Sequence, residues 1–183
     1  MKNCSYSIIF ILIAIYSCKQ KTNTETPISA ISIIKGQLHH LDTSLYQIMK
    51  VEKKGAVIDT SFIKREEIRD IAAPFLSLPD IAGKDYNNKY TEQRFIDAEQ
   101  QTLNITSTAI NQEEVQQQLI IVNLSDITNG KIKSIYIDRY LPAKDSTIEQ
   151  KLFWEIDAYF SIGNIITKEG QPEKTTFTKV EWQ

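Results

Sequence analysis

Histidine and cysteine are scarce in this chain of 183 residues, which holds two of each. The two histidines, His39 and His40, are adjacent, and neighbouring residues of a helix point about 100° apart, so the pair cannot share a metal ion. A zinc site needs three or four convergent ligands. The common nucleophilic sites also require a histidine or another base beside the nucleophile. We therefore expect that the protein binds no metal and no cofactor and is not an enzyme.

Positive charge is not in excess either. The 21 lysines and arginines are outnumbered by 23 aspartates and glutamates, which gives a net charge of −2. Recognition of nucleic acid requires clustered lysine and arginine, whereas the aromatic residues between Tyr136 and Phe160 are interleaved with carboxylates as much as with cations. We therefore expect no nucleic-acid partner.

No apolar run reaches the roughly 20 residues that a membrane-spanning helix requires. The run Ile8–Ile15 is much shorter, and it follows Lys2 and precedes Ser17 and Cys18. This order of a positive start, an apolar segment, a small residue and a cysteine resembles the lipobox signal of bacterial lipoproteins. The alternatives are an ordinary signal peptide with an incidental cysteine, or a buried apolar strand.

The resemblance to the lipobox implies that residues 1–17 are removed and that Cys18 carries a diacylglycerol thioether and a further acyl chain on its amino group. Two or three acyl chains give stable membrane anchoring, whereas one binds only marginally. Lys19 follows the cysteine, and by analogy with bacterial sorting rules this implies the outer membrane, with the domain facing the periplasm. Cys4 would leave with the signal peptide, so no disulfide is expected.

Residues 18–26 are polar and are predicted to form a flexible tether, followed by one globular domain over residues 27–183. Two amphipathic helices are expected early in that domain, because apolar residues recur there at steps of three and four. In the first helix these residues are Ile31, Ile34, Leu38, Leu41 and Leu45. In the second they are Ile68, Ile71, Ala72, Phe75 and Leu76. Pro74 predicts a kink or an early stop in the second helix.

A short hairpin is predicted between the two helices, with a strand over 47–53, a turn at Lys54-Gly55 and a return over 56–58. The later part of the chain is predicted to be rich in strands, over residues 90–97, 101–110, 115–124, 132–141, 149–162, 165–169 and 175–182. Asn129-Gly130 indicates a hairpin turn. The short connections favour an antiparallel meander. The expected fold class is therefore α+β, with two N-terminal amphipathic helices and a short hairpin between them packed on a mainly antiparallel sheet.

Three carboxylates and four apolar residues support two further hypotheses. A hydrolase could use Asp138, Glu155 or Asp157, provided that a pair of them lies roughly 5 to 9.5 Å apart. Carboxylates on strands are more often paired with cations at the surface. A carrier or sensor could hold an apolar ligand between the helices and the sheet, in a cavity lined by Trp154, Phe160, Ile68 and Phe75, although such a stripe is more often packed core.

Two weaker resemblances complete the sequence pattern. Asp145-Ser146-Thr147 is similar to the short acceptor motif for O-glycosylation in Bacteroidota, which makes Ser146 or Thr147 a candidate for modification. The order of tether, helix, hairpin, helix and meander resembles small, functionally uncharacterised envelope lipoproteins of Bacteroidota.

The function expected from the sequence is that of a lipid-anchored cell-envelope lipoprotein with a non-catalytic structural or accessory role. Its partners would be the membrane, through the acyl chains on Cys18, and an envelope protein.

Overall fold

The computed structural model describes residues 28–125 and 130–183. The expected signal peptide over 1–17, the tether over 18–26 with the lipid attachment at Cys18, and Asn129 of the predicted hairpin lie outside the described residues. Within the described residues the chain builds one antiparallel sheet of nine strands, which follows a single helix of 14 residues.

The helices and strands have the following bounds. The helices are α1 (Ala30–Thr43), α2 (Ile68–Ile71) and α3 (Ala73–Leu76), with 3₁₀ turns at Arg65–Glu67 and Lys84–Tyr86. The strands are β1 (Ile48–Lys54), β2 (Val57–Phe62), β3 (Tyr90–Asp97), β4 (Thr102–Ala109), β5 (Val115–Asn123), β6 (Ile132–Pro142), β7 (Ser146–Glu155), β8 (Tyr159–Lys168) and β9 (Lys174–Trp182).

The strand order across the sheet is β2-β1-β9-β8-β7-β6-β5-β4-β3. Strands β3 to β9 therefore run as a meander in which each strand pairs with the next. The exception to local pairing is β1, which pairs with β9 in a register that sets Ile48 opposite Trp182. This pairing brings the β1–β2 hairpin beside the far end of the meander, so β2 and β3 form the two edges of the sheet.

Helix α1 begins where Ser29 caps it, because the Ser29 hydroxyl accepts a hydrogen bond from the backbone N–H of Ser32 at 3.1 Å. It ends at Thr43, and Ser44 donates its backbone N–H to the carbonyl of Leu41. The residues that α1 buries are Ala30, Ile31, Ile34, Leu38 and Leu41. Leu45 was expected on the same face, but it lies beyond the helix and is 97% exposed.

The predicted α+β fold with two N-terminal amphipathic helices packed on the sheet is wrong. The chain is mostly a nine-stranded antiparallel sheet with few helices, and the second expected helix is absent from the described residues. In its place stand a 3₁₀ turn and the four-residue helices α2 and α3, which meet at Ala72. Pro74 explains the break, because a proline inside a helix removes a backbone hydrogen bond and clashes with the preceding turn.

The predicted strand over 149–162 is also wrong. It contains a turn at residues 156–158, which separates β7 from β8. The residue that makes the turn is Asp157, with φ of +60°, a conformation that aspartate tolerates better than most residues other than glycine. The predicted separate strand over 165–169 is the continuation of β8.

The core lies between the sheet and the segments that cover one of its faces. We call this face the inner face. Its central rows of side chains are buried and apolar, and they belong to one cluster with the buried face of α1. The inner-face residues of this cluster include Ile105, Ile120, Ile135, Ile137, Leu152, Trp154, Phe160, Ile162, Val180 and Trp182. None of the helices over residues 28–125 and 130–183 has the length and apolar character that a membrane span requires.

Candidate functional site

The four residues that were expected to line an apolar cavity lie instead in the centre of the core. Trp154, Phe160 and Phe75 are fully buried, and Ile68 is almost so. The rings of Trp154 and Phe160 stack with centroids 4.9 Å apart, and Phe75 contacts them edge-on at 5.2 and 5.6 Å. These are the arrangements that aromatic rings prefer. The space assigned to an apolar ligand is therefore occupied by the side chains themselves.

The register between β6 and β7 separates two of the candidate carboxylates. Asp138 lies opposite Lys151, and Glu155 lies opposite Ser134. Residues 134 and 138 differ by four positions, which at 3.2–3.4 Å per residue corresponds to about 13 Å along the strands. Paired carboxylates of glycosidases stand roughly 5 to 9.5 Å apart. Asp138 and Glu155 therefore do not form such a pair.

Asp138 takes part in a surface cluster instead. Its Oδ1 lies 2.7 Å from Nζ of Lys151 and accepts a hydrogen bond from the Tyr136 hydroxyl at 2.8 Å. The hydrogen bond to Asp138 raises the pKa of Lys151, and burial followed by the bond to Asp138 raises the pKa of Tyr136. Both shifts keep Lys151 charged and Tyr136 neutral around pH 7, so the cluster is a stabilising ion pair with one added hydrogen bond.

Asp157 connects α1 to the turn between β7 and β8. Its backbone N–H donates to Oε1 of Gln37 at 2.9 Å, and its carboxylate accepts a hydrogen bond from Nε2 of the same glutamine at 3.0 Å. Nζ of Lys131 lies 3.7 Å from Oδ2 of Asp157. These contacts give Asp157 a role in positioning α1 against the sheet.

The two histidines lie on the exposed side of α1. The ring of His40 contacts that of Tyr46, with centroids 6.1 Å apart. Within residues 28–125 and 130–183, no group of three or more histidine, cysteine, aspartate or glutamate side chains is placed to hold a metal ion.

A row of hydrogen-bonded polar side chains crosses the inner face, and it was not predicted from the sequence. It runs from just before β5 to β9 through Glu114, Arg139, Gln150, Asn164 and Thr176. Arg139 donates to Glu114 at 2.8 Å and to Gln150 at 3.2 Å. Gln150 donates to Asn164 at 2.8 Å, and Asn164 donates to Thr176 at 3.0 Å. The signal in the sequence is that the alternating apolar residues of both β7 and β8 are continued by an amide, at Gln150 and at Asn164.

Arg139 is the fixed point of this row. Its side chain is only 9% exposed, and it also donates to the carbonyl of Pro74 at 3.2 Å and to the Ser77 hydroxyl at 3.0 Å. All three nitrogens of its guanidinium are engaged, and Glu114 balances its charge. Arg139 therefore fastens the segment around α3 to the sheet, and the row marks the end of the covered part of the inner face.

Beyond the polar row the described part of the chain leaves the inner face open. Leu141, Ile148 and Ile166 continue it and are half-buried. An open cavity of about 450 Å³ adjoins this region, lined by Gln112, Glu113, Glu114, Tyr140, Leu141 and Pro142. Its acidic residues are already paired, Glu113 with Lys89 at 3.2 Å and Glu114 with Arg139. The region therefore offers apolar contacts and neutral hydrogen-bonding groups to a partner.

Among residues 28–125 and 130–183, the two edge strands carry most of the large apolar side chains that are exposed. On β2 these are Val57, Ile58 and Phe62, which are 64–69% exposed, and on β3 they are Phe95 and Ile96, at 65% and 62%. An edge strand also presents unpaired backbone N–H and C=O groups, which can bind another strand. The two edges are therefore candidate interaction surfaces, as is the open end of the inner face.

The predicted glycosylation motif lies at the β6–β7 connection. Asp145 is exposed there, whereas Ser146 and Thr147 are the first residues of β7 and are half-buried. Modification of either hydroxyl stays a prediction.

Comparisons with protein-family models, with curated proteins and with solved structures give no significant match.

Proposed function

We propose that this chain is a lipid-anchored lipoprotein of the cell envelope, which acts without catalysis as a structural or accessory protein by binding another envelope protein. Cys18 would carry the acyl chains, and the sheet domain would face the periplasm from the outer membrane. The lipobox-like order of Ile8–Ile15, Ser17 and Cys18 supports the anchor.

The observation that carries the accessory role is the contrast between the core and the edges. The aromatic centre of the domain is filled by Phe75, Trp154 and Phe160, whereas the apolar residues of the edge strands are exposed to solvent. Soluble proteins usually protect exposed edges with charges, prolines or covering segments. Strand β2 has Asp59 as its single charged residue and no proline, which favours a role in binding a partner.

The tether would set how far from the membrane this binding occurs. Nine residues, 18–26, span at most about 30 Å when fully extended. Anchoring would confine the domain to that distance from the bilayer and raise its effective concentration for a partner in the same membrane.

The anchor is tested by fractionation and mass measurement. Cells producing the wild-type chain or the Cys18→Ala variant are separated into membrane and soluble fractions, and the mass of the mature N-terminus is measured. We expect the wild type in the membrane fraction with an acylated Cys18, and the variant without acylation. If both chains are found unacylated in the soluble fraction, the anchor is wrong.

The accessory role is tested by affinity capture from detergent-solubilised membranes. The wild type is compared with Phe62→Lys, which places a charge on the exposed β2 edge, and with Glu169→Lys, a matched change in an exposed turn. We expect a reproducible envelope protein that is retained by Glu169→Lys and lost by Phe62→Lys. A wild-type chain that captures nothing beyond itself contradicts the accessory role.

A further inference from the structure

The free side of the β3 edge can be identified from one hydrogen bond. The backbone N–H of Ile110 donates to the carbonyl of Lys89 at 2.8 Å, so residue 89 belongs to a hydrogen-bonded pair with β4. Such pairs alternate along antiparallel strands, and the β3–β4 register has no bulge. Residues 91, 93, 95 and 97 therefore bond to β4. Their even-numbered neighbours, Tyr90, Glu92, Arg94 and Ile96, direct their backbone N–H and C=O groups toward the open edge.

The charges on the even-numbered residues are self-complementary in one register. If two copies of β3 pair in antiparallel fashion about Gln93, Glu92 lies opposite the partner's Arg94 and Arg94 lies opposite the partner's Glu92. The same register sets Tyr90 opposite the partner's Ile96 and Thr91 opposite the partner's Phe95. Pairs of opposite charge and of aromatic with aliphatic residues stabilise antiparallel strands.

The neighbouring symmetric registers of β3 are disfavoured by the same two residues. Pairing about residue 92 sets Glu92 against the partner's Glu92, and pairing about residue 94 sets Arg94 against the partner's Arg94. Like charges directly opposite one another destabilise a strand pair. The charge pattern therefore selects the register about Gln93, in which the outward backbone groups also face each other and can form about eight hydrogen bonds.

We infer that two copies of this chain form a symmetric dimer by antiparallel pairing of their β3 edges about Gln93. The dimer joins two nine-stranded sheets into one and covers Phe95 and Ile96, which are largely exposed in the single chain. The dimer does not depend on the lipid anchor, because every residue involved lies in the sheet domain.

Disulfide trapping in the full-length chain tests the register. Across the symmetry axis the two copies of residue 93 form a pair that is not hydrogen-bonded, with Cα atoms about 4.5 Å apart, within the range of a disulfide. We expect Gln93→Cys to give a crosslinked dimer under mild oxidation. The wild-type chain, run alongside, reports any disulfide formed by Cys4 or Cys18.

Two further cysteine variants serve as matched controls. In the proposed register the two copies of residue 91 are separated by about 13 Å along the strands, and so are the two copies of residue 95. Thr91→Cys and Phe95→Cys should each fail to crosslink alone and should crosslink when produced together. Thr60→Cys tests the other edge, β2. A crosslink at residue 60 without one at residue 93, or no specific crosslink at all, overturns the inference.

Charge reversal separates contacts between copies from the ion pair that Glu92 and Arg94 form within one strand, at 2.8 Å. Glu92→Arg and Arg94→Glu each place like charges opposite one another in the dimer and should weaken it roughly tenfold. Mixing the two variants restores opposite charges between copies but not within either chain. We expect the mixture to form mixed dimers of near wild-type affinity, measured by sedimentation in detergent. A mixture as weak as its components contradicts the proposed pairing.

Discussion

Phe75 provides the most direct test of the packed core. Its ring is fully buried and contacts Trp154 and Phe160 edge-on. Truncation of a buried phenylalanine to alanine costs about 3–5 kcal/mol of unfolding free energy. The loss of two aromatic contacts adds to that cost, so we expect Phe75→Ala to lose about 4–5 kcal/mol. This is a large share of the roughly 5–15 kcal/mol that stabilises a typical domain.

Urea unfolding followed by tryptophan fluorescence measures this loss. The chain has two tryptophans, and both Trp154 and Trp182 are buried, so their emission reports the opening of this core. The urea midpoint should fall while the slope of the transition stays unchanged, since the same surface is exposed on unfolding. Phe62→Ala is the control: its ring is 68% exposed, and a surface change of this kind usually stays within about 0.5 kcal/mol.

A small loss for Phe75→Ala would show that the core is not close-packed around this ring. If the unfolding free energy falls by less than about 1.5 kcal/mol, the ring does not fill a close-packed space. A loosely filled space would instead favour a carrier of apolar ligands. The purified wild-type chain should then bind an environment-sensitive apolar dye.

Two further predictions concern the polar row and the β3 edge. Arg139→Met should lower the unfolding free energy by about 1–3 kcal/mol in the same urea assay, because it leaves the side-chain carbonyl of Gln150 without the hydrogen bond from Arg139. As a control, Arg69→Met, which removes a solvent-exposed ion pair, should change the unfolding free energy little. Burial, followed by nearby acidic groups and another tyrosine, raises the pKa of Tyr90 to about 12. Since the unfolded value is near 10, the stabilisation that Tyr90 provides is complete below pH 10 and lost as the pH rises through 12. Ultraviolet titration of the folded chain should show this late step, and Tyr90→Phe should remove it; an unchanged titration curve would contradict the assignment.

Local patterns predicted those elements whose burial follows a simple period. Leu152 and Trp154 lie two positions apart in the sequence, as residues on one face of a strand do, and both are buried in β7. Ile31, Ile34, Leu38 and Leu41 likewise lie on the buried face of α1. In both cases the sequence period equals the geometric period of the element, because one face packs against the core along its length.

The features that were missed depend on contacts distant in sequence or on single residues. The turn at Asp157 has no glycine or proline to indicate it, and it is fixed partly by Gln37, which is 120 positions away. The buried residues around Ile68 and Phe75 have the spacing of one helix face, but they belong to two short helices. Ile68 packs into the core from α2, and Phe75 packs into it from α3. The candidate interaction edges could not be predicted, since only the strand order shows which strands lack a neighbour.

The position of β9 between β1 and β8 has a consequence for the life of the chain. Synthesis proceeds from the N-terminus, so the β1–β2 hairpin is made early. Its partner strand β9 is made more than a hundred residues later, and β1 can pair with it only then. A copy cut before β9 would leave both β1 and β8 as bare edges and Trp182 missing from the core. Truncated copies would therefore expose two unpaired strands and be open to proteolysis. Completion of the sheet thus depends on the last strand that is synthesised.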